Sequence, residues 1–334
     1  MKTIKTIFYV LIILQTATFI FADTDPTNPA KTKKPCGFPD DMNCFENRQI
    51  ADAEMVNANY KALLERIQEL TQIVCSYNPN HKICPDTQRI FRNSLGMTFM
   101  RIPAGTFMMG SPEDEPDREP ILPGRGRTDE TQHEVTISND FFMQTTEITQ
   151  LQWKTVMGDN PSYYSECGDN CPVEHISWDD VHIFIDKLNN RNEGTYRLPT
   201  EAEWEYTARA GTQTPYFFGE CLSDSKANCN FSESTNGCPI GELRGKTIFV
   251  ASFFPNAWGI YDMHGNVWEW CQDWYGQYPT TQISDPTGPS SGSLKVYRGG
   301  SWDVNANRCR SAFRNRWTSD IRAGTLGARL VYSP

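Results

Sequence analysis

The chain has 334 residues, enough for one large domain or two ordinary ones. Its 41 acidic side chains outnumber 31 basic ones, giving a formal net charge of −10. A chain this acidic is not drawn by charge to nucleic acid or to an anionic lipid surface.

Residues 1–22 read as a cleaved export signal. Lys2 and Lys5 precede an apolar run from Ile7, and Ala22 offers a small-residue cleavage site. An N-terminal anchor helix is the competing reading, but the run is short for a span and is interrupted by Gln15, Thr16 and Thr18. Cleavage removes the two lysines and takes the charge from −10 to −12. The expectation is a secreted, periplasmic or cell-surface protein with no membrane span once the signal is gone.

Export makes sense of the eleven cysteines, all of which follow Ala22. In an oxidising compartment most pair. The odd count leaves at least one free or bridging two chains. Cys36–Cys44, Cys75–Cys84 and Cys167–Cys171 are the short-range candidates. No CxxC occurs and His81, His133, His175, His182 and His264 are scattered, so zinc is the weaker reading.

Residues 23–45 have the composition of a linker. Residues 46–89 form a helical segment that "YNPNHKICPD" breaks from residue 77. Within it Val56, Tyr60, Leu63, Ile67, Leu70 and Val74 recur at alternating spacings of four and three, a seam about three heptads long. It suits either an amphipathic helix laid on the main domain or a coiled-coil stalk, through which the chain would oligomerise.

From residue 90 to 334 the texture changes to one domain rich in Trp, Gly, Pro and Asn. "MTFMRIPAGTFMMGS" predicts two strands around a turn, and "HEVTISNDFFMQTTEIT" two more around Ser138-Asn139-Asp140. The acidic, Pro-rich stretch 110–130 between them reads as a surface loop. Three helices carry start signals: Thr149 before "QLQWKTVMG", Ser177 before "WDDVHIFIDKLNNRN", and Thr200 with Glu203 as a capping box before "EAEWEYTARAG", which Gly211 ends. Short runs and turns fill the last third. The fold class is α+β with much irregular structure.

"IPAGTFMMGS", "NPSYY", "CPVEHISWDDV", "YRLPTEAEWEYTARAGT", "FFPNAWGIYDMHGNVWEWCQDWYG", "YRGGSW" and "RSAFRNR" occur in one order along residues 90–333. In sequence and order they resemble the formylglycine-generating enzyme family, the sulfatase-modifying-factor domain. The resemblance implies that family's variant of the C-type lectin fold, a small mixed core with long irregular excursions. It says nothing about residues 23–89.

The family's oxidising enzymes hold Cu(I) on two cysteines placed after Gly-Gly-Ser, because soft thiolates select that ion. Here Trp302 to Arg308 contain no cysteine, and Cys309 follows as a weak catalytic candidate. One thiolate does not make a two-sulfur site, so no copper is expected. The family motifs instead imply a Cys271–Cys309 disulfide. They also imply a structural calcium site on Asp262, the Gly265 and Val267 carbonyls and Glu269, an oxygen set that suits a hard cation. The alternative there is a turn whose carboxylates cap amides. Asn228 is the candidate for a second calcium site, and His264 reads as a structural hydrogen-bonding residue, not a base.

Relatives lacking the cysteine pair include other enzymes, binding proteins and the diversified variable proteins of diversity-generating retroelements. The relatives' Asn-rich C-terminal pattern is replaced here by Asp303, Val304, Ala306, Ile321, Ala323, Gly324 and Thr325, beside retained Asn305, Asn307 and Asn315. Each replacement is reachable from an Asn codon by changing adenines alone; drift of a solvent-facing loop gives the same residue types. The candidate ligand-binding residues are Trp302, Asp303, Val304, Asn305, Asn307, Arg314, Trp317, Ile321 and Thr325. Two functions compete: an exported module binding a protein or small molecule, and an oxidoreductase or other enzyme using the same cleft.

Overall fold

The computed structural model describes residues 89–118 and 129–334, together with Arg66, which is helical. The expected export signal, linker, heptad seam and Cys36–Cys44 and Cys75–Cys84 pairs lie outside the described residues. The chain divides into two compact units, Met1–Tyr77 and Asn78–Pro334. Apart from Arg66, every described residue belongs to the second.

Its strands, in chain order, are β1 (Ile90–Arg92), β2 (Thr98–Ile102), β3 (Gly105–Met109), β4 (His133–Ile137), β5 (Phe141–Gln144), β6 (Thr195–Arg197), β7 (Trp268–Trp274), β8 (Ile283–Ser284), β9 (Lys295–Arg298), β10 (Arg314–Trp317), β11 (Leu326–Gly327) and β12 (Val331–Ser333). They form a five-stranded sheet ordered β1-β2-β5-β12-β6, a four-stranded sheet ordered β10-β9-β7-β11 and a three-stranded sheet ordered β3-β4-β8. The C-terminal strand β12 sits inside the largest sheet, with Val331 opposite both Met143 and Arg197. The α+β expectation holds, as do all four strands expected between residues 97 and 149. Neither pair is a hairpin, however. β2 and β5 pair with each other, β3 pairs with β4, and both turns carry the chain from one sheet to the next. The two crossings are tied together where the Asp140 carboxylate accepts from Ala104 N–H at 2.6 Å.

All three expected helices form: α1 (Gln150–Met157), α2 (Trp178–Asn189) and α3 (Glu201–Arg209). Thr149, Ser177 and Thr200 each close a full capping box with the residue three further on, satisfying amides the helix leaves free. α3 ends on Ala210 in the left-handed region, one residue before the expected Gly211. α1 and α2 bury one face each, and Trp153 stacks on Phe184 at 5.0 Å. Every residue of α3 is buried, including Glu201, Glu203, Glu205 and Arg209.

Those buried charges are paired. Glu201 meets Arg314 and Arg298, Glu205 meets Arg298 and Arg209, and Glu269 meets Arg329. Two carboxylates from the stretch expected to be a surface loop, Glu115 and Glu130, are also buried, against Arg310. A buried ion left alone is far costlier than a pair, so these contacts fix register between elements remote in sequence.

The Cys167–Cys171 bridge forms as expected, and Cys221–Cys238 is a second bridge not anticipated. The expected Cys271–Cys309 bridge does not form; both thiols are free and buried. Cys271 lies on β7 and packs with Ile102, Trp204 and Val296. Cys309 ends a short 3₁₀ turn, Ala306–Cys309, and packs with Tyr216, Cys229 and Phe231 in a separate cluster. The chain turns away from β9 at Gly299 and Gly300 (φ +97° and +78°), which carries Cys309 off the sheet that holds Cys271.

Candidate functional site

After that glycine pair the chain is pinned to its neighbours by backbone hydrogen bonds. Trp302 N–H donates to the Asn266 carbonyl at 3.0 Å, and Asn230 N–H donates to the Val304 carbonyl at 2.9 Å. His264 closes the far end: its Nδ1 lies 2.7 Å from the Cys309 carbonyl and its Nε2 accepts from Phe217 N–H at 3.2 Å. Burial lowers the His264 pKa to about 4, so the ring is neutral and Nδ1 carries the proton. It is a structural residue, as expected.

The pinned loop forms one wall of a cavity of about 510 Å³. Trp302, Asp303, Val304 and Arg308 come from the loop, Tyr163 and Tyr164 from the segment after α1, Trp268 and Tyr297 from β7 and β9, and Asn315, Trp317 and residues 323–326 from the C-terminal stretch. Tyr164 meets Trp302 edge to face at 5.4 Å, and the Trp302 indole N–H donates to the Gly324 carbonyl at 3.2 Å. Tyr163 and Trp317 are 74% and 44% exposed.

Glu174 holds the tyrosine wall in place. It is fully buried, and its two oxygens accept from Tyr163 N–H at 3.1 Å and Tyr164 N–H at 2.8 Å. Burial raises its pKa to about 7, against the opposing pull of those two amides. Asp303 is exposed and accepts from Ser301 Oγ at 2.6 Å. The lining therefore offers aromatic faces, one carboxylate, one guanidinium and one amide. It contains no Cys or His; Asp303 and the Tyr163, Tyr164 and Thr325 hydroxyls are its polar side chains besides Arg308 and Asn315.

Of the expected ligand-binding residues, Trp302, Asp303, Val304, Trp317 and Thr325 line this cavity, and four do not. Asn305 turns toward Glu233, which accepts from its Nδ2 at 3.3 Å. The Asn307 carbonyl accepts from Arg310 Nε at 3.0 Å, and Ile321 sits in a turn closed on Thr318. Arg314 is fully buried and faces the opposite way, paired with Glu201, because strand alternation sends its side chain to the α3 side of the sheet. Tyr163, Tyr164, Trp268, Tyr297 and Arg308 were missed. "NPSYY" offered a signal for the first two, but nothing local brings it 140 residues forward to the Gly-Gly-Ser loop.

At the expected calcium ligands, the Glu269 and Asp262 carboxylates are held by protein donors. Both Glu269 oxygens accept from Arg329, at 2.6 Å each, and Oε2 also accepts from the Trp204 indole N–H at 2.7 Å. Asp262 accepts from Ala251 N–H and lies beside Glu147; burial raises both carboxyls, Asp262 to about 6. The Asn228 amide donates to the Lys246 carbonyl and to Asn266 Oδ1. Among the described residues no group of three Cys, His, Asp or Glu side chains converges as a metal site. A second cleft, about 620 Å³, lies beside β8 and the 276–289 stretch and includes Arg314, Asp273 and His133.

Residues 86–334 match the sulfatase-modifying factor enzyme 1-like domain family. The chain is 39% identical over 171 residues to a formylglycine-generating enzyme of Streptomyces coelicolor, covering 48% of this chain and 52% of that one. It is 36% identical over 197 residues to one of Thermomonospora curvata, covering 54% and 61%. It thus spans only about half to three-fifths of these relatives' length. Among solved structures, Treponema denticola variable protein 1 superimposes with a TM-score of 0.61 at 26% identity, over 73% of this chain and 99% of that one. PvdO from Pseudomonas aeruginosa follows at 0.59 and 26%, over 73% and 98%. With three quarters of its length matched to one domain type and the same architecture in both structures, the chain belongs to the sulfatase-modifying factor enzyme 1-like domain family.

Proposed function

We propose that the chain is an exported binding module that takes a protein or small-molecule ligand on the aromatic cavity between Tyr163–Tyr164 and Trp302–Val304. The observation that carries the reading is the lining itself: Tyr163 and Trp317 exposed, Tyr164 and Trp302 half-buried, and Trp268 and Tyr297 buried behind them, with no thiol among them. Aromatic anchors of this kind dominate interface energetics. Asp303, Val304, Ala323, Gly324 and Thr325, all reachable from Asn codons through adenine changes, and the retained Asn315 face the same cavity. The similarity to a protein titled a variable protein supports a diversified display surface. The signal-like N-terminus supports export.

A formylglycine-generating oxidase is the second reading, favoured by the identity to two such enzymes. The test is to screen the full mature chain against glycan and peptide libraries, with Tyr163→Ala and Trp302→Ala in parallel, and to incubate it with a Cys-containing sulfatase-motif peptide and Cu(I). Ligands captured by the wild type and lost in both variants support binding. Conversion of the peptide's cysteine to formylglycine at catalytic rates, with no captured ligand, would replace it with the enzyme.

A further inference from the structure

The Cys229 and Cys309 sulfurs lie 2.8 Å apart in the protein interior, and neither side chain reaches solvent. That separation is inside the contact distance of two unbonded sulfurs. The backbone on both sides is cleared for them. A Cβ on Gly300 would lie 2.3 Å from the Cys309 sulfur, and one on Gly265 would lie 2.5 Å from the Cys229 sulfur. The two segments are also held in register independently of the sulfurs, by Asn230 N–H on the Val304 carbonyl and the bridge between Asn230 and Asn305. Nothing in this contact requires the thiols, yet it delivers them to one another.

We propose that Cys229 and Cys309 are a disulfide-forming pair, a third cross-link among the described residues, tying the floor of the cavity loop to the Asn228–Asn230 segment. The partner chemistry is a low-molecular-weight or protein disulfide. One cysteine thiolate attacks a sulfur of oxidised glutathione, forming a mixed disulfide and releasing one glutathione thiolate. The second cysteine thiolate then attacks the protein sulfur and displaces the second. The protein loses two protons and two electrons, and oxidised glutathione becomes two molecules of the thiol. Burial raises the Cys229 thiol well above its usual range, so the folded thiol is a poor nucleophile and out of reach. The exchange therefore belongs to the folding chain, and the finished bond is structural. A bridging metal ion is a poorer occupant, since it would hold the two sulfurs on either side of itself and farther apart than this contact.

The cross-link gives the cavity loop an anchor that does not depend on the residues between Trp302 and Arg308. It would let those residues change while the loop stays in place. The assignment stands or falls separately from ligand binding.

The experiment is a peptide map of the full chain, refolded in a mixture of oxidised and reduced glutathione, denatured and alkylated without reductant. Trypsin together with cleavage after Glu233 separates Cys229 from Cys238. The expected product is a Cys229–Cys309 linked peptide two hydrogens lighter than the sum of its thiol forms, with Cys271 alkylated. Alkylation of both Cys229 and Cys309, a Cys271–Cys309 peptide, or a copper or zinc adduct in the native mass spectrum in place of the bond would each overturn it. Cys229→Ala, Cys309→Ala and the double variant supply a second reading. Equal Tm losses in all three mark one shared bond, and additive losses mark two independently packed thiols. If an alanine variant does not fold, the wild-type map decides.

Discussion

Arg329 and Glu269 form a two-pronged ion pair, Nε to Oε2 and Nη2 to Oε1 at 2.6 Å each, with both side chains fully buried. The arginine places a positive charge on a carboxylate that the surrounding motif leads one to assign to calcium. The expected outcome is that thorough chelation, and then millimolar calcium, leave the thermal midpoint unchanged. Glu269→Gln should lower stability by about 3–5 kcal/mol in both conditions, the typical cost of leaving a buried partner unpaired. A calcium-dependent rise that disappears in Glu269→Gln would restore the cation.

Arg314 and Trp317 occupy the two ends of β10 and have opposite fates. Arg314 donates to Glu201 at 2.5 and 2.7 Å and to the Gly276 carbonyl at 2.9 Å, entirely out of solvent. Trp317 is the exposed end, at the cavity rim. Arg314→Ala should therefore destabilise by about 3–5 kcal/mol. Trp317→Ala should stay within about 1 kcal/mol of the wild type while weakening ligand capture. Urea titrations of both variants check this, and a stable Arg314→Ala that loses only ligand would return Arg314 to the binding surface.

The same contrast marks what was legible in the sequence. Helix starts were readable because a capping box is local: Thr149, Ser177 and Thr200 each need only the residue three positions on. Strand alternation was readable for the same reason. Sheet membership was not, since β2 and β3 are separated by two residues yet enter different sheets. The site divides along that line. Trp302–Val304 announce themselves as a loop after two glycines. The Tyr163–Tyr164 wall and its Glu174 support exist only through tertiary contacts. The family motifs imply a Cys271–Cys309 pair, whereas the Gly299–Gly300 turn sends Cys309 to Cys229, 80 residues earlier.

Glu174 should make the stability of the domain depend on pH. Its folded pKa of about 7 lies above the unfolded value near 4.5. Between those values the folded chain keeps a proton that the unfolded chain releases, so this group's contribution to stability falls as pH rises from about 4.5 to about 7 and is level beyond. The ceiling is about 3 kcal/mol, at about 1.4 kcal/mol per pKa unit. Glu174→Gln carries no titrating proton, so its stability relative to the wild type should improve across that window. A pH-independent difference between the two proteins, measured by urea unfolding at pH 4.5, 6 and 7.5, would remove Glu174 as the source.

Replacement of cavity-lining residues should cost little where the side chain reaches solvent. Asp303 is exposed, in a turn closed by Val304 N–H on the Ser301 carbonyl, and Thr325 is half-buried, its carbonyl accepting from Trp268 N–H at 2.8 Å. Alanine at either should stay within about 0.5–1 kcal/mol of the wild type. Ala306, in the same loop, is 3% exposed and packs with Phe231 and Cys309, so Ala306→Asp should prevent folding by burying an unpaired charge. Trp270 sets the scale for the core. It is fully buried, its indole N–H donates to the Ile176 carbonyl at 3.1 Å, and alanine there should cost about 3–5 kcal/mol. A library varied together at Asp303, Val304, Ala323 and Thr325 should therefore stay folded and yield binders to unrelated targets. If Asp303→Ala and Thr325→Ala unfold as readily as Trp270→Ala, the loop is part of the core, and the smaller cavity is not a surface on which residues can be exchanged.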